Sequence, residues 1–252
     1  MKPLPSFSLE GRRALITGAG RGIGRAIADV YAQAGAEVWL CARSGTEIDE
    51  AVAEITAAGF EAHAAVCDVT DIDAFKALVE GLPGVDIFVN NAGTNRPKLQ
   101  VDYTPADFDH VVGLNLRAAF FALQAVSTRM IADGRGGAII NMSSQMGHTG
   151  AVNRTLYCMT KWGIEGLTKA TSLELAPHGI RINTICPTFI ETPLTKPYFE
   201  NPDFLTDTLR KIKLGRLGQV EDLTGAALYL ASDASGLVTG TSILVDGGWT
   251  AG

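Results

Sequence analysis

Short apolar runs alternate with longer amphipathic stretches along nearly the whole of this 252-residue chain, and this alternation limits the possible folds more than any other feature. Runs such as residues 38–41 and 138–140 are continuously apolar, as in strands that are buried on both faces. Strands of this kind, separated by helices, form a parallel sheet with right-handed crossovers and helices on both faces. The pattern therefore predicts an α/β fold with a doubly wound parallel sheet of about seven strands.

The predicted elements extend over the length of the chain. Strands are predicted at residues 14–17, 38–41, 64–66, 85–89, 138–140, 180–185 and 242–245. Helices are predicted at residues 22–34, 45–58, 71–80, 104–132, 155–176 and 219–231. The third strand has the weakest signal, because Glu61 and His63 interrupt its apolar run.

The chain contains no internal repeat, charge run or linker rich in Pro, Gly or Ser, so residues 1–252 are predicted to form a single domain. Hydrophobic residues make up 46% of it and charged residues 19%, which excludes disorder. Residues 188–218 depart from the alternation, and their three prolines and several aromatics favour a short helical lid over a disordered loop. This segment leaves the carboxyl end of the sixth strand, where open α/β sheets bind their ligands.

Charge and cysteine content exclude several classes of partner and site. Twenty-one basic and 27 acidic residues give a net charge of −6, which argues against a nucleic-acid or anionic-membrane partner. The four cysteines and four histidines show no CxxC or metal-ligand spacing, so no metal site is predicted. Residues 1–10 lack the apolar core of a signal peptide and no run approaches 18 apolar residues, which predicts a cytoplasmic protein.

A glycine-rich turn joins the first predicted strand to the first predicted helix. It reads Thr-Gly-Ala-Gly-Arg-Gly-Ile-Gly from residue 17 to residue 24, so the spacing is Gly18-xxx-Gly22-x-Gly24 rather than GxGxxG. Glycines here let the backbone approach a pyrophosphate, and the helix N-terminus offers free amides and a positive dipole end. A dinucleotide site is therefore favoured over a glycine-rich turn without a ligand.

Three further residues suit proton transfer. Tyr157 and Lys161 lie four residues apart, which places them on one face of a helix, and an ammonium group beside a phenol lowers the phenol pKa. Ser144, at the end of the fifth strand, offers a hydroxyl that can bind a substrate oxygen. Each feature is weak alone, and the two asparagines at residues 90–91 are by themselves best interpreted as turn residues.

Order and spacing together are far more specific than any single motif. Along essentially its whole length, the sequence resembles the short-chain dehydrogenase/reductase family. The resemblance rests on the glycine turn, Asp68, residues 90–93, Asn115, Ser144, the Tyr157–Lys161 pair, and residues 238–240 and 246–248. It implies a Rossmann-type sheet, a nicotinamide cofactor and a catalytic tetrad of Asn115, Ser144, Tyr157 and Lys161.

The implied reaction interconverts a secondary alcohol and a ketone. Tyr157 would exchange a proton with the reacting oxygen, and Ser144 would hydrogen-bond that oxygen. Lys161 would lower the pKa of Tyr157 and hold the nicotinamide ribose, while Asn115 would position a water between Lys161 and solvent. A cofactor-binding scaffold without catalysis, or a purely structural subunit, is disfavoured because all four residues are present.

The resemblance also assigns the cofactor contacts. They are Gly18, Arg21, Gly22, Ile23, Gly24, Arg43, Asp68, Val69, Asn91, Ala92, Gly93, Tyr157, Lys161, Pro187, Ile190 and Thr192. Ala42 occupies the position where a carboxylate would bind the 2′-hydroxyl of NAD. With that carboxylate absent and Arg21 and Arg43 nearby, NADP is favoured over NAD. The alternative is that Arg43 only stacks on adenine and Arg21 faces solvent.

The substrate is less constrained, because this family acts on sugars, polyols, steroids, acyl thioesters and other ketones. The candidate substrate residues are polar: Ser144, Gln145, His148, Arg154 and Thr188, with Thr94, Asn95, Arg96 and Asn153 around them. They favour a sugar acid or polyol, unless Arg96 and Arg154 are solvated loop charges. Thr188 stands where the family usually has glycine, which narrows the predicted site.

The resemblance extends to the 3-oxoacyl-[acyl-carrier-protein] reductases, whose acidic carrier protein needs a basic patch near the site. Arg129 and Arg135 are the candidates for that patch, with solvated helix-end charges as the alternative. Family members are often tetramers built on two long helices, so a homotetramer is also predicted. The apolar residues 118–123 are compatible with such an interface, although they also suit the core of the subunit.

Overall fold

The computed structural model describes residues 6–252. The prediction that residues 1–10 lack a signal peptide therefore falls partly, at residues 1–5, outside the described part. In the described part, seven parallel strands form one sheet. They are β1 (Arg13–Thr17), β2 (Glu37–Ala42), β3 (Ala62–Val66), β4 (Ile87–Asn90), β5 (Gly137–Met142), β6 (Ile180–Pro187) and β7 (Ser242–Val245). Their order is β3-β2-β1-β4-β5-β6-β7, in which the winding reverses between β1 and β4 as in Rossmann-type folds. The predicted fold is confirmed, including its weakest strand.

Residues 6–252 contain eight α-helices, most of which cover the two faces of the sheet. They are α1 (Gly22–Gln33), α2 (Gly45–Ala57), α3 (Ile72–Gly81), α4 (Pro105–Val112), α5 (Ala119–Asp133), α6 (Thr155–Leu175), α7 (Pro202–Lys211) and α8 (Glu221–Ala231). The helix predicted at residues 104–132 consists of α4 and α5, joined by the π-helical segment Gly113–Ala118.

Consecutive residues of the central strands face opposite sides of the sheet. Ile16 of β1 and Val89 of β4 pack in the core formed with α1, α2 and α8. Their neighbours Leu15 and Phe88 pack in the core formed with α3, α5 and α6. Full burial of such a side chain stabilises the fold by about 1.5–3 kcal/mol. The continuously apolar strands therefore hold both layers of helices.

The helical stretch Pro105–Asp133 is long and apolar enough to cross a membrane, judged by length and composition alone. In the structure its apolar side lies on the sheet, where Ala122, Val126 and Met130 are buried in the core. The apolar composition of this stretch is therefore explained by its packing against the sheet, as in a core helix.

The segment from residue 188 to residue 218 crosses the carboxyl edge of the sheet. It contains a 3₁₀ turn (Lys196–Glu200) followed by α7, in agreement with the predicted short helix. Phe189 packs against Phe204 and against Trp249 of the C-terminal turn, with ring centroids 5.4 and 5.7 Å apart. A parallel bridge between Ile190 and Gly218 closes the base of this lid.

Candidate active site

A cavity of about 290 Å³ opens at the carboxyl edge of the sheet, between the glycine turn and the lid. Its walls come from the ends of β1, β4, β5 and β6 and from the start of α6, as expected at the switch point of a doubly wound sheet. It brings together most of the predicted site residues. Those that line it are Gly18, Arg21, Gly22, Ile23, Asn91, Ala92, Gly93, Thr94, Asn95, Ser144, Gln145, Arg154, Tyr157, Lys161, Pro187, Thr188, Ile190 and Thr192.

The glycine turn leaves no room for side chains at two of its positions. Gly18 has a φ of +66°, and a Cβ there would lie 2.9 Å from the Asn91 Nδ2 atom. A Cβ on Gly24 would overlap the Gly18 carbonyl oxygen. The N-terminus of α1 has no side-chain cap and no acidic residue in its first turn. Its free amides and positive dipole end therefore fit the pyrophosphate of a dinucleotide.

Asn91 and Thr17 hold this turn in place. The Asn91 amide nitrogen Nδ2 donates to the Thr17 carbonyl at 2.9 Å, and the Thr17 hydroxyl accepts from the backbone N–H groups of Asn91 and Ala92 at 3.0 and 3.1 Å. Asn91, the second asparagine of the pair that resembles an ordinary turn, thus links the end of β4 to the glycine turn.

Asn115 lies on the π-helical segment between α4 and α5, behind the cavity wall. Its Oδ1 atom accepts from the Thr94 backbone N–H at 2.8 Å, and its Nδ2 atom donates to the Thr94 carbonyl and the Thr160 hydroxyl at 2.9 and 3.2 Å. A π-bulge of this kind often marks a functional site. It turns Asn115 towards α6, to which Tyr157 and Lys161 belong.

Tyr157, Ser144 and Lys161 meet at the centre of the cavity. The Ser144 hydroxyl lies close enough to the Tyr157 hydroxyl to lower the pKa of Tyr157. It also donates to the Gln145 Oε1 atom at 2.7 Å. The Lys161 Nζ atom donates to the Met142 carbonyl at 2.7 Å and lies 5.5 Å from the centre of the Tyr157 ring. One serine hydroxyl, one phenol and one ammonium group therefore converge where a carbonyl or alcohol could bind.

Burial dominates the electrostatics of this group. It raises the pKa of Tyr157 to about 12, against smaller lowering effects of the Ser144 hydroxyl and the Arg154 guanidinium. It lowers the pKa of Lys161 to about 8, against smaller raising effects of Cys186 and the Glu165 carboxylate. At neutral pH Tyr157 thus keeps its proton and can act as an acid, while Lys161 is largely charged. The predicted effect of Lys161 on the pKa of Tyr157 stays a prediction.

The predicted adenosine-side contacts lie further along the edge of the sheet. Arg43 follows β2, its side chain is 76% exposed, and its NH1 atom lies 3.8 Å from the Asp68 carboxylate. Arg21 pairs with Glu47 at 2.9 Å. Exposed pairs of this kind contribute little and can rearrange around a ligand. Val69 is buried beside Asp68.

The part of the cavity that is lined by Asn95, Gln145 and Thr188 is called the substrate half. It contains polar atoms without hydrogen-bond partners. The Asn95 Oδ1, Gln145 Nε2 and Thr188 Oγ1 atoms are buried and make no hydrogen bond within the described chain, and all three residues line the cavity. Buried polar atoms without partners are costly. These three atoms can therefore form hydrogen bonds with a polar ligand.

Arg154 lies at the same end of the cavity. Only 5% of the residue is exposed, and it forms no ion pair with a described residue. Its NH1 atom donates to the Asn153 carbonyl at 3.1 Å, and its guanidinium lies 5.5 Å from the centre of the Tyr198 ring. The sequence-based alternative of a solvated loop charge is wrong for this arginine, because it is buried in the cavity wall.

Three other candidate substrate residues lie outside this cavity. The His148 Nε2 atom contacts Cys186 and Glu165 behind β6, so this histidine is not in the cavity wall. Arg96 pairs with Asp107 at 3.0 Å. Asn153 lines a second cavity of about 460 Å³, which shares Arg154 and Tyr198 with the first.

Sequence reasoning missed lid residues that line the first cavity, notably Phe189 and Tyr198. The aromatic residues of this segment are visible in the sequence, but the sequence does not indicate which of their rings line the cavity.

The chain is similar to several known proteins along nearly its whole length. A family profile described as "Enoyl-(Acyl carrier protein) reductase" matches residues 18–250. L-xylulose reductase of Bos taurus is 38% identical over 244 residues, covering 96% of this chain and 98% of the relative. Gluconate 5-dehydrogenase of Gluconobacter oxydans is 38% identical over 248 residues, covering 97% and 96%. The crystal structure of a gluconate 5-dehydrogenase from Burkholderia cenocepacia with NADP and tartrate has a TM-score of 0.94 and 36% identity, with 98% of each chain covered.

Proposed function

Since this chain belongs to the short-chain dehydrogenase/reductase family and is an NAD(P)-dependent oxidoreductase that acts on CH–OH or C=O groups, we propose that its substrate is a sugar acid whose carboxylate binds Arg154. The names of relatives that act on sugars and sugar acids support a substrate of this range. The observation that carries the choice is a buried guanidinium in the cavity wall that lacks a carboxylate partner in the described chain.

The nicotinamide cofactor supplies or accepts a hydride when bound. Tyr157, protonated at neutral pH, donates its proton to the carbonyl oxygen in reduction and regains one from the alcohol in oxidation. Ser144 hydrogen-bonds the same oxygen and keeps it within reach of the phenol. Lys161 brings a positive charge to the Tyr157 side of the cavity. Asn115, bonded to Thr94 and Thr160, keeps the wall beside Lys161 in place.

The free-energy cost of burying the unpaired charge of Arg154 supports a carboxylate group on the substrate. Moving a guanidinium out of water is expensive unless an anion and hydrogen bonds compensate. The ring of Tyr198 and one backbone carbonyl offset only part of that cost for Arg154, and a planar fork of donors fits a carboxylate in two parallel hydrogen bonds. The unpartnered atoms of Asn95, Gln145 and Thr188 complete a site for a polyhydroxy acid.

Two other substrate classes fit less well. A neutral sugar or polyol, such as L-xylulose, would use the three polar atoms but leave Arg154 unpaired. For an acyl carrier protein, Arg129 and Arg135 lie near the start of β5, at the edge opposite the cavity. They pair there with Asp133 and Asp86 at 2.9 and 3.2 Å, so neither offers a basic patch at the cavity mouth.

The proposed substrate is tested by steady-state kinetics with keto-sugar acids and neutral keto-sugars. We expect Arg154→Gln to raise KM for the acids about 10- to 100-fold, the value of a hydrogen-bonded charge, and to leave KM for the neutral sugars nearly unchanged. Arg96→Gln, which removes an arginine outside the cavity, serves as the matched control. Equal losses with both substrate classes would instead reflect the effect of Arg154 on the pKa of Tyr157 and would contradict the proposal.

We further propose that NADP(H) is preferred over NAD(H). Ala42 ends β2 without a carboxylate, and Arg43 beside it is free to leave its weak 3.8 Å contact with Asp68. Arg43→Ala is expected to lower kcat/KM for NADPH at least about 10-fold, as for a charged hydrogen bond, with little change for NADH. Equal kcat/KM for both cofactors in the unmodified enzyme would contradict this preference.

We also propose that the chain forms a single domain, assembles as a homotetramer and is located in the cytoplasm. One sheet built from strands between residue 13 and residue 245 supports a single domain.

Phe120 on α5 and Trp162 on α6 are 45% and 54% exposed, which supports a homotetramer built on these helices. A monomer in light scattering at micromolar concentration would refute the homotetramer. A cytoplasmic location is proposed from the sequence alone.

A further inference from the structure

His148, Glu165 and Cys186 form a buried cluster behind the active site that the proposed reaction does not use. Their ligand atoms lie within 4.8 Å of one another, although the residues are 17 and 21 positions apart in the sequence. Cys186 lies on β6, Glu165 on α6 and His148 just after the turn that follows Ser144. We propose that this cluster is a binding site for a thiophilic divalent cation of the Zn²⁺ type.

The spacing of the three ligand atoms matches a tetrahedral ion. The His148 Nε2 atom lies 3.4 Å from the Cys186 Sγ atom and 3.7 Å from the Glu165 Oε1 atom, and the last two atoms are 3.3 Å apart. Zinc bonds of about 2.3 Å to sulfur and 2.0–2.2 Å to nitrogen and oxygen set tetrahedral ligand atoms roughly 3.3–3.6 Å apart. The three atoms thus need to move by only a few tenths of an ångström to coordinate an ion.

Surrounding hydrogen bonds fix the carboxylate in an orientation that leaves one oxygen for the cation. The Glu165 Oε2 atom accepts from the Thr184 and Ser242 hydroxyls at 3.1 and 2.5 Å. The other oxygen, Oε1, is the one that faces Cys186 and His148. Support of this kind around a ligand is typical of metal sites, where outer partners hold the donor atom in place.

The site has a place for a fourth ligand and a way in. The Ser143 hydroxyl is buried, has no hydrogen-bond partner in the described chain, and lies beside Cys186. It or a water can complete the tetrahedron. The His148 side chain is 29% exposed, so an ion can enter past it without unfolding of α6 or β6.

The buried Glu165 carboxylate lies 3.3 Å from the Cys186 sulfur, so a dication between them would balance the charges of the carboxylate and of a thiolate. Binding of the ion forms a metal–sulfur bond and releases the thiol proton to solvent.

Cobalt(II) and zinc test the site directly on the purified full-length protein without added chelator. Cobalt is expected to give a near-ultraviolet thiolate-to-metal charge-transfer band that zinc abolishes. X-ray absorption of the zinc-loaded protein should show one sulfur ligand at about 2.3 Å and the others at about 2.0–2.2 Å. Zinc should raise the Tm, as does any ligand of the folded state alone.

Variants separate this site from other sites for the same ions. Cys186→Ser should abolish the band, and His148→Gln, at the partly exposed ligand, should weaken binding at least about 10-fold while the protein stays folded. Cys67→Ser removes a thiol elsewhere. His63→Gln disrupts the Glu37–Glu61–His63 cluster at the other end of the sheet, and neither control should change the band.

An absent band would overturn the proposal, as would an unchanged cobalt affinity in His148→Gln or loss of the band in Cys67→Ser. The three residues would then form a hydrogen-bonded cluster only. If Cys186→Ser fails to fold, the His148→Gln titration and the sulfur count from X-ray absorption still decide the outcome.

Discussion

The two halves of the cavity satisfy their polar groups in different ways. In the cofactor half, Thr17 and Asn91 bond to each other across the sheet and brace a turn whose glycines leave no space for side chains. In the substrate half, Asn95, Gln145 and Thr188 keep unpartnered polar atoms, and Arg154 keeps an unpaired charge. The first half is complete before a ligand binds, whereas the second depends on the substrate for its missing partners.

This difference separates what each half contributes to the enzyme. A preformed backbone site can bind the same cofactor for many different reactions. A site with polar atoms left open rejects ligands that cannot pair them, because the unpaired atoms then stay buried. We therefore expect substitutions in the two halves to change different kinetic constants.

Tyr157→Phe is expected to have the largest effect, since it removes the proton donor at the boundary of the two halves. The predicted loss is about 10²- to 10⁴-fold in kcat, the usual contribution of a general acid. NADPH affinity, measured by fluorescence titration, should remain nearly unchanged. If the variant retains more than a few per cent of kcat, Tyr157 is not the acid.

Gly24→Ala is expected to damage the cofactor half alone. The added Cβ overlaps the Gly18 carbonyl oxygen, and because the obstacle is backbone, the turn itself must shift at a cost of about 1–3 kcal/mol. KM for the cofactor should rise about 10-fold or more, while KM for the sugar acid at saturating cofactor should change little. Gly59→Ala, which strains a left-handed backbone position (φ +89°) away from the cavity, controls for general loss of stability.

Substrate reduction should decline in alkali as Lys161 loses its proton. Burial lowers the pKa of this ammonium to about 8, so the group is charged below that pH and neutral above it. The predicted profile of kcat/KM for reduction is flat near neutrality and falls with an apparent pKa near 8, whereas Tyr157, with its pKa raised to about 12, stays protonated throughout. Lys161→Arg, whose guanidinium does not titrate in this range, should remove the fall; an unchanged profile would assign the limb to another group.

The sequence predicts the cofactor half well and the substrate half only partly. Glycine spacing, the strand before it and the helix after it are local, so the turn at residues 17–24 can be recognised without knowing the rest of the fold. Arg154 and Arg96 look alike in sequence, yet one is buried in the cavity wall and the other pairs with Asp107. That distinction depends on how the lid packs, and the lid is set by contacts such as Phe189 with Trp249, 60 residues apart.

The buried cluster behind the active site could not be predicted from the sequence either. No spacing rule relates His148, Glu165 and Cys186, because β5, α6 and β6 bring them together only in the folded sheet. Asn115 is intermediate: its identity is readable by resemblance, but its orientation depends on a π-helical segment that the apolar pattern of residues 104–132 does not reveal.

Thr188→Val is expected to have the smallest effect and tests the comparison most finely. The Thr188 hydroxyl is buried without a partner, so its replacement by a methyl group should leave the Tm unchanged or slightly raised. If the hydroxyl bonds to substrate, KM for the sugar acid should nevertheless rise about 2- to 12-fold. The matched control is Thr17→Val in the cofactor half, where the hydroxyl accepts two backbone hydrogen bonds and its loss should lower the Tm. A lower Tm in both variants would show that Thr188 serves the fold rather than the substrate, and the two halves would then differ less than the structure indicates.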